Sequence, residues 1–136
     1  MNYESLMNET LQRLKPSGIR RFFDIASEMD NVISLSVGEP DFNTPWHIRQ
    51  EGIRTLETRK TVYGPNAGLL RLREAIAGYV QRRVGAAYDP KTEVLVTVGG
   101  SEAIDLCMRT LLNPGDEVLI PQPSFVCYEP LTAMAG

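Results

Sequence analysis

Residues 94–128 read VLVTVGGSEAIDLCMRTLLNPGDEVLIPQPSFVCY, and the fold follows from how that stretch changes period. Val94-Leu95-Val96-Thr97-Val98 lacks polar alternation and is mostly β-branched, the pattern of a strand covered on both faces, as in a parallel sheet. Gly99-Gly100 ends it. From Ser101 the spacing becomes helical, with Ile104, Cys107, Met108 and Leu111 on one stripe, until Asn113-Pro114-Gly115-Asp116 supplies a turn that stops any helix. Val118-Leu119-Ile120 is a second short apolar run. Strand, glycine turn, helix, turn, strand is a βαβ unit, expected to be right-handed.

The chemistry of the unit lies in its first turn. Two glycines let the backbone pass close to a ligand, and the first N–H groups of the next helix, around Ser101 and Glu102, have no partner inside it. With the positive end of the helix dipole they form a seat for a phosphate at the carboxyl edge of a parallel sheet. The residues match neither G-x-G-x-x-G nor G-x-x-x-x-G-K-[ST], because no third glycine or lysine falls at the required offset. They read equally as a tight turn with Ser101 as the helix N-cap.

The chain has 136 residues, 43% apolar and 23% charged, as expected of a globular protein and not of a disordered one. Its 14 basic and 17 acidic residues are scattered and leave a net charge of −3. Nucleic acid and anionic membranes are therefore not the expected partners. Cys107 and Cys127 form no C-x-x-C pair, and with His47 the one histidine no zinc site can be assembled. Both thiols read as small core residues in a reducing compartment. The opening MNYESLMNETLQRL carries charge and no apolar run, so neither a signal peptide nor a membrane span is expected, and a cytoplasmic protein is.

Upstream, Leu6, Met7, Leu11 and Leu14 give an amphipathic arm over residues 4–14, interrupted by Lys15-Pro16-Ser17-Gly18. A second amphipathic helix follows through Ile19, Phe22, Phe23, Ala26 and Met29, with Ser17 as N-cap. Asp30-Asn31 turns the chain into the extended segment 32–37, which Gly38-Glu39-Pro40-Asp41-Phe42 breaks into a loop of bare backbone. Thr44-Pro45 reads as the N-cap and N1 pair of a helix to about Arg59. Tyr63-Gly64-Pro65-Asn66-Ala67-Gly68 is a loop leading into a long helix whose buried stripe is Leu69, Leu72, Ala75, Ile76, Tyr79 and Val80, ending near Gly85. A last helix is expected over Cys127 to Ala135. Two parallel strands cannot shield both faces and both edges of a sheet, so the chain reads as the front part of a larger α/β protein.

Taken together, SVGEPDF at 36–42, VYGPNAGLLRLREAIAGYV at 62–80, VTVGGSEAI at 96–104 and NPGDEVLIPQPSFVCYEP at 113–130 resemble the N-terminal portion of fold-type I pyridoxal-phosphate aminotransferases, class I/II, of the aspartate aminotransferase kind. The likeness extends to KPSGIRRFFDIA at 15–26. It implies an α/β fold, with residues 1–45 as an N-terminal arm and part of the small domain, and 46–136 as the first part of a three-layer cofactor-binding large domain.

The resemblance also implies roles. Pyridoxal 5'-phosphate would be the cofactor, its phosphate cradled by the backbone of Gly100, Ser101 and Glu102. Phe125 would stack on the pyridine ring, and Tyr63 would reach the phosphate of the neighbouring subunit of a homodimer. Gly38 would line the pocket for the substrate carboxylate, the substrates being an amino acid and a 2-oxo acid. The family's Schiff-base lysine has no counterpart, since Lys15, Lys60 and Lys91 stand in none of the matching motifs. No catalytic residue is therefore expected in these 136 residues, and the chain alone is expected to be inactive. A non-catalytic assembly module, or a lyase or synthase using the same cofactor, fits the same motifs.

Overall fold

The computed structural model describes residues 3–33, 35, 38–58 and 61–136. Among the described residues six α-helices follow a short 3-10 turn over Glu4–Leu6: α1 (Glu9–Arg13), α2 (Ile19–Ser27), α3 (Trp46–Glu57), α4 (Leu70–Val84), α5 (Gly100–Leu111) and α6 (Tyr128–Ala135). The chain divides into two compact units, residues 1–25 with 97–136 and residues 26–96.

In the first unit the arm is two short pieces rather than one helix. The cause is Asn8, whose Oδ1 accepts from the Thr10 N–H at 2.8 Å and so caps α1 in mid-arm. Helix α2 begins at Ile19, one position later than an N-cap at Ser17 requires, though the Ser17 hydroxyl still accepts from the Ile19 N–H at 3.4 Å. Helix α5 packs on α6, and α1 packs on α6. Ile104 and Met108 lie half-buried along that stripe, while Leu111 stays exposed. Residues 113–116 form the expected turn: the Asp116 carboxylate accepts from the Asn113 N–H at 2.8 Å, and Gly115 takes φ +93°. Two cysteine expectations part here, for Cys127 is half-buried but Cys107 is exposed.

The second unit turns at Asn31, whose φ of +60° is one that asparagine tolerates. Of the extended segment 32–37, positions 34, 36 and 37 lie outside the described residues, as does Arg59 at the expected end of α3. That helix starts one position later than the Thr44-Pro45 pair suggests: Pro45 is the N-cap, and no side chain caps it. Helix α4 stops where the sequence says, with Gly85 left-handed at φ +79° and its N–H bonded to the Gln81 carbonyl.

The expected stripe of α4 is displaced. Leu69, Leu72, Ala75 and Tyr79 are exposed, Ile76 and Val80 half-buried, and the two buried residues are Arg73 and Ala77, one turn apart. Arg73 is covered because its guanidinium satisfies three backbone carbonyls, Gly68 at 3.1 Å, Pro90 at 2.8 Å and Lys91 at 3.1 Å.

The α/β expectation is corrected in one respect. Neither Val94–Val98 nor Val118–Ile120 forms a strand, and no strand occurs among the described residues. A strand exists only through ladder bonds to a neighbour. The Val96 N–H instead bonds the Ala67 carbonyl at 3.1 Å, a single loop contact that continues into no ladder. Neither segment has a ladder partner among the described residues, and Val98 and Leu119 are almost wholly exposed.

Candidate functional site

The glycine turn and the start of α5 belong to the first unit. Gly99 is the N-cap, with φ +84° and ψ 168°, a conformation open essentially to glycine alone. Gly100, Ser101 and Glu102 are the first three helical residues, so Ser101 sits inside the helix and is not its cap. Their N–H groups find no acceptor among the described residues, whereas the Ala103 N–H already bonds back to the Gly99 carbonyl. A Cβ built on Gly100 would meet no atom within 4 Å, so the space over the turn is open. Three free amides at a helix N-terminus, with room above them, suit a phosphate group; the residues present fit the phosphate end of pyridoxal phosphate.

Two side chains brace this turn, and only the second leaves a local sign in the sequence. The Thr97 hydroxyl donates to the Gly99 carbonyl at 2.9 Å. Glu102 reaches back so that its carboxylate accepts from the Val98 N–H. The second was readable: a Glu at the third helical position is where a capping box puts its carboxylate.

Phe125 belongs to the same unit, half-exposed, with its ring edge-on to Tyr128 at 5.7 Å and 78°. It lines a groove of about 770 Å³ whose other walls include Arg13, Lys15, Phe22, Val126 and Glu129. Gly100, Ser101 and Glu102 do not line that groove. The link between the two places is Cys127, two residues beyond Phe125, whose Sγ accepts a 3.9 Å contact from the Ser101 hydroxyl.

Tyr63 and Gly38 belong to the second unit. Tyr63 is fully exposed, and Gly38 has open space where a Cβ would be. The loop carrying Tyr63 closes on Gly68, whose φ is +92° and whose N–H donates to the Pro65 carbonyl at 2.8 Å. A Cβ on Gly68 would lie 2.6 Å from Val96 Cγ2, so only glycine fits there. Arg73, on the Gly68 carbonyl, is the residue sequence reasoning missed: a cation amid an apolar stripe carries no local sign that it will be buried.

Comparison with known proteins decides what this geometry belongs to. The model of aminotransferase class I and II matches residues 30–136. This chain belongs to the class I and II aminotransferases. It is 50% identical over 97% of its length to YugH of Bacillus subtilis (strain 168), assigned as an aminotransferase, and covers 34% of that protein. It is 45% identical over 96% of its length to the aspartate aminotransferase of Pyrococcus abyssi, covering 33% of it. Among solved structures, a Pyrococcus protein superposes with a TM-score of 0.89 and 47% identity over 94% of this aminotransferase chain and 33% of its own. The chain thus spans about a third of the length of the curated relatives it matches. Among the described residues no helix is long and apolar enough to cross a membrane.

Proposed function

We propose that the protein carrying this chain transfers an amino group between an amino acid and a 2-oxo acid, with pyridoxal 5'-phosphate as cofactor. The observation that supports this most directly is the row of unbonded amides at Gly100, Ser101 and Glu102, in a chain of aminotransferase family. When bound, the pyridoxal ring withdraws the electrons left as an α C–H bond of the amino acid breaks. The chain's own part is to hold and orient. The three amides bind the phosphate by directed bonds and the helix dipole. Phe125 packs an apolar face on the ring and keeps water from it. Gly38 offers bare backbone to the substrate carboxylate, and the Tyr63 hydroxyl donates to the phosphate bound by a neighbouring subunit of a homodimer.

The same reading divides the chain into residues 1–45, the arm with part of the small domain, and 46–136, the first part of the large domain. The setting is the cytoplasm. The exposed apolar side chains of the arm, Leu6, Met7 and Leu11, would be covered by the subunit interface. The 136 residues hold no lysine in a matching motif, so alone they form no covalent link to the cofactor and do not turn over.

The test is on the full-length polypeptide, mixed with cofactor, an amino acid and a 2-oxo acid. One new amino acid and one new oxo acid should appear for each pair consumed. An amino acid consumed with no need of an oxo-acid acceptor would overturn transfer in favour of a lyase or synthase. For the 136-residue chain, borohydride treatment followed by dialysis should leave no cofactor mass attached.

A further inference from the structure

The glycine turn is flexible in principle: Gly99 adopts a conformation only glycine tolerates, and Gly100 has no neighbour on its open side. Free amides bind an anion well only if their directions are fixed beforehand, because ordering them at the moment of binding costs affinity. Something must therefore hold this turn. No apolar packing does so, since Val98, Gly99, Gly100 and Ser101 are all exposed.

The turn is instead pinned by two side chains on either side of it. Thr97 holds the Gly99 carbonyl from the segment before the turn, and Glu102 holds the Val98 N–H from the helix side. The Glu102 bond closes a ring that runs from Val98 through both glycines to the first turn of α5. It also directs the carboxylate back to the chain end that precedes the glycines. A carboxylate in the first turn suits the helix dipole, but its charge would repel a bound phosphate.

We infer that the Glu102 side chain is a positioning residue, which by accepting from the Val98 N–H fixes the amides of Gly100 and Ser101 for a phosphate group. This rests on the phosphate-seat reading above. It assigns to Glu102 a second role beside its own N–H, and separates the two things the side chain brings, an acceptor and a charge. The acceptor organises the seat. The charge works slightly against it.

Those parts come apart in two substitutions of the full-length apoprotein, with binding of pyridoxal phosphate and of inorganic phosphate measured by equilibrium titration. Glu102→Gln keeps an acceptor and removes the charge, so both ligands should bind at least as tightly as to the native protein. Glu102→Ala removes both and should weaken both ligands about 5- to 10-fold, the worth of one structural hydrogen bond. Thr97→Val, which deletes the other pin, should weaken them in the same direction. Melting temperatures of all three variants should stay near native, because these side chains lie at the surface. Equal binding by Glu102→Ala and the native protein overturns the inference, as does equal weakening by Gln and Ala. Failure of the native protein to bind either ligand would instead overturn the phosphate seat itself.

Discussion

At Gly68 an added Cβ would stand 2.6 Å from Val96 Cγ2, whereas at Gly99 and Gly100 it would meet nothing within 4 Å. Both are glycine turns in motifs that resemble an aminotransferase, and both lead into a helix. One glycine is present because protein fills the space where a side chain would go. The pair at 99–100 is present because that space is kept empty and, at Gly99, because φ is +84°. Crowding at Gly68 serves the fold, while the open space over Gly99 and Gly100 leaves room for the proposed phosphate.

The largest effect that would break this contrast is at Gly68. Gly68→Ala should cost about 3 kcal/mol of unfolding free energy, combining a left-handed φ with a clash against a β-branched side chain that cannot swing away. Chemical denaturation of the full-length protein measures it, and a loss below about 1 kcal/mol would mean that the loop gives way easily. Gly100→Ala should do the reverse. Gly100 is helical and its surroundings are open, so alanine should leave stability unchanged or raise it by about 0.5 kcal/mol. The same methyl group should intrude on the phosphate and weaken pyridoxal phosphate binding. Unchanged affinity would remove the distinction between the two turns.

The smallest effect sharpens the crowded side. The Asp89 carboxyl is held below the usual aspartate range, first by the Lys91 N–H, then by the Thr92 hydroxyl, and by the charges of Lys91 and Arg73. Because the folded value is the lowered one, this stabilisation is present above the ordinary aspartate range and fades as pH falls through the depressed value. Asp89→Asn should therefore lower stability slightly at neutral pH and flatten the acid limb, the two proteins converging at low pH. A limb as steep as the native one would show that the turn at 89–93 does not respond to that carboxyl.

Local signals were legible wherever a residue acts on its own backbone. The stop of α4 at Gly85, the Asn113–Asp116 turn and the start of α2 after Ser17 all follow from chemistry within four residues. The amides of Gly100 to Glu102 were legible for the same reason, since any helix start leaves them free. What was not legible depends on distant partners. Val94–Val98 has the composition of a covered strand, yet a ladder needs a neighbour that composition cannot supply, and Val96 pairs with Ala67 alone. The stripe of α4 was placed one position off because apolar counting takes Leu72 for the inside. Arg73 prevails there through three carbonyls that lie five, seventeen and eighteen residues away in sequence. The Asn8 cap was visible as a residue type but hidden by the apolar periodicity around it.

The Arg73 guanidinium also sets how the second unit comes apart. Among the described residues the buried ones are only Arg73 and Ala77, so little dry interior protects the backbone elsewhere. Deuterium entering from solvent would reach the amides of α3 first and those nearest the 73–77 turn last. Loss of that slow core and release of the loop that presents Tyr63 would then be a single event, because one side chain fastens both.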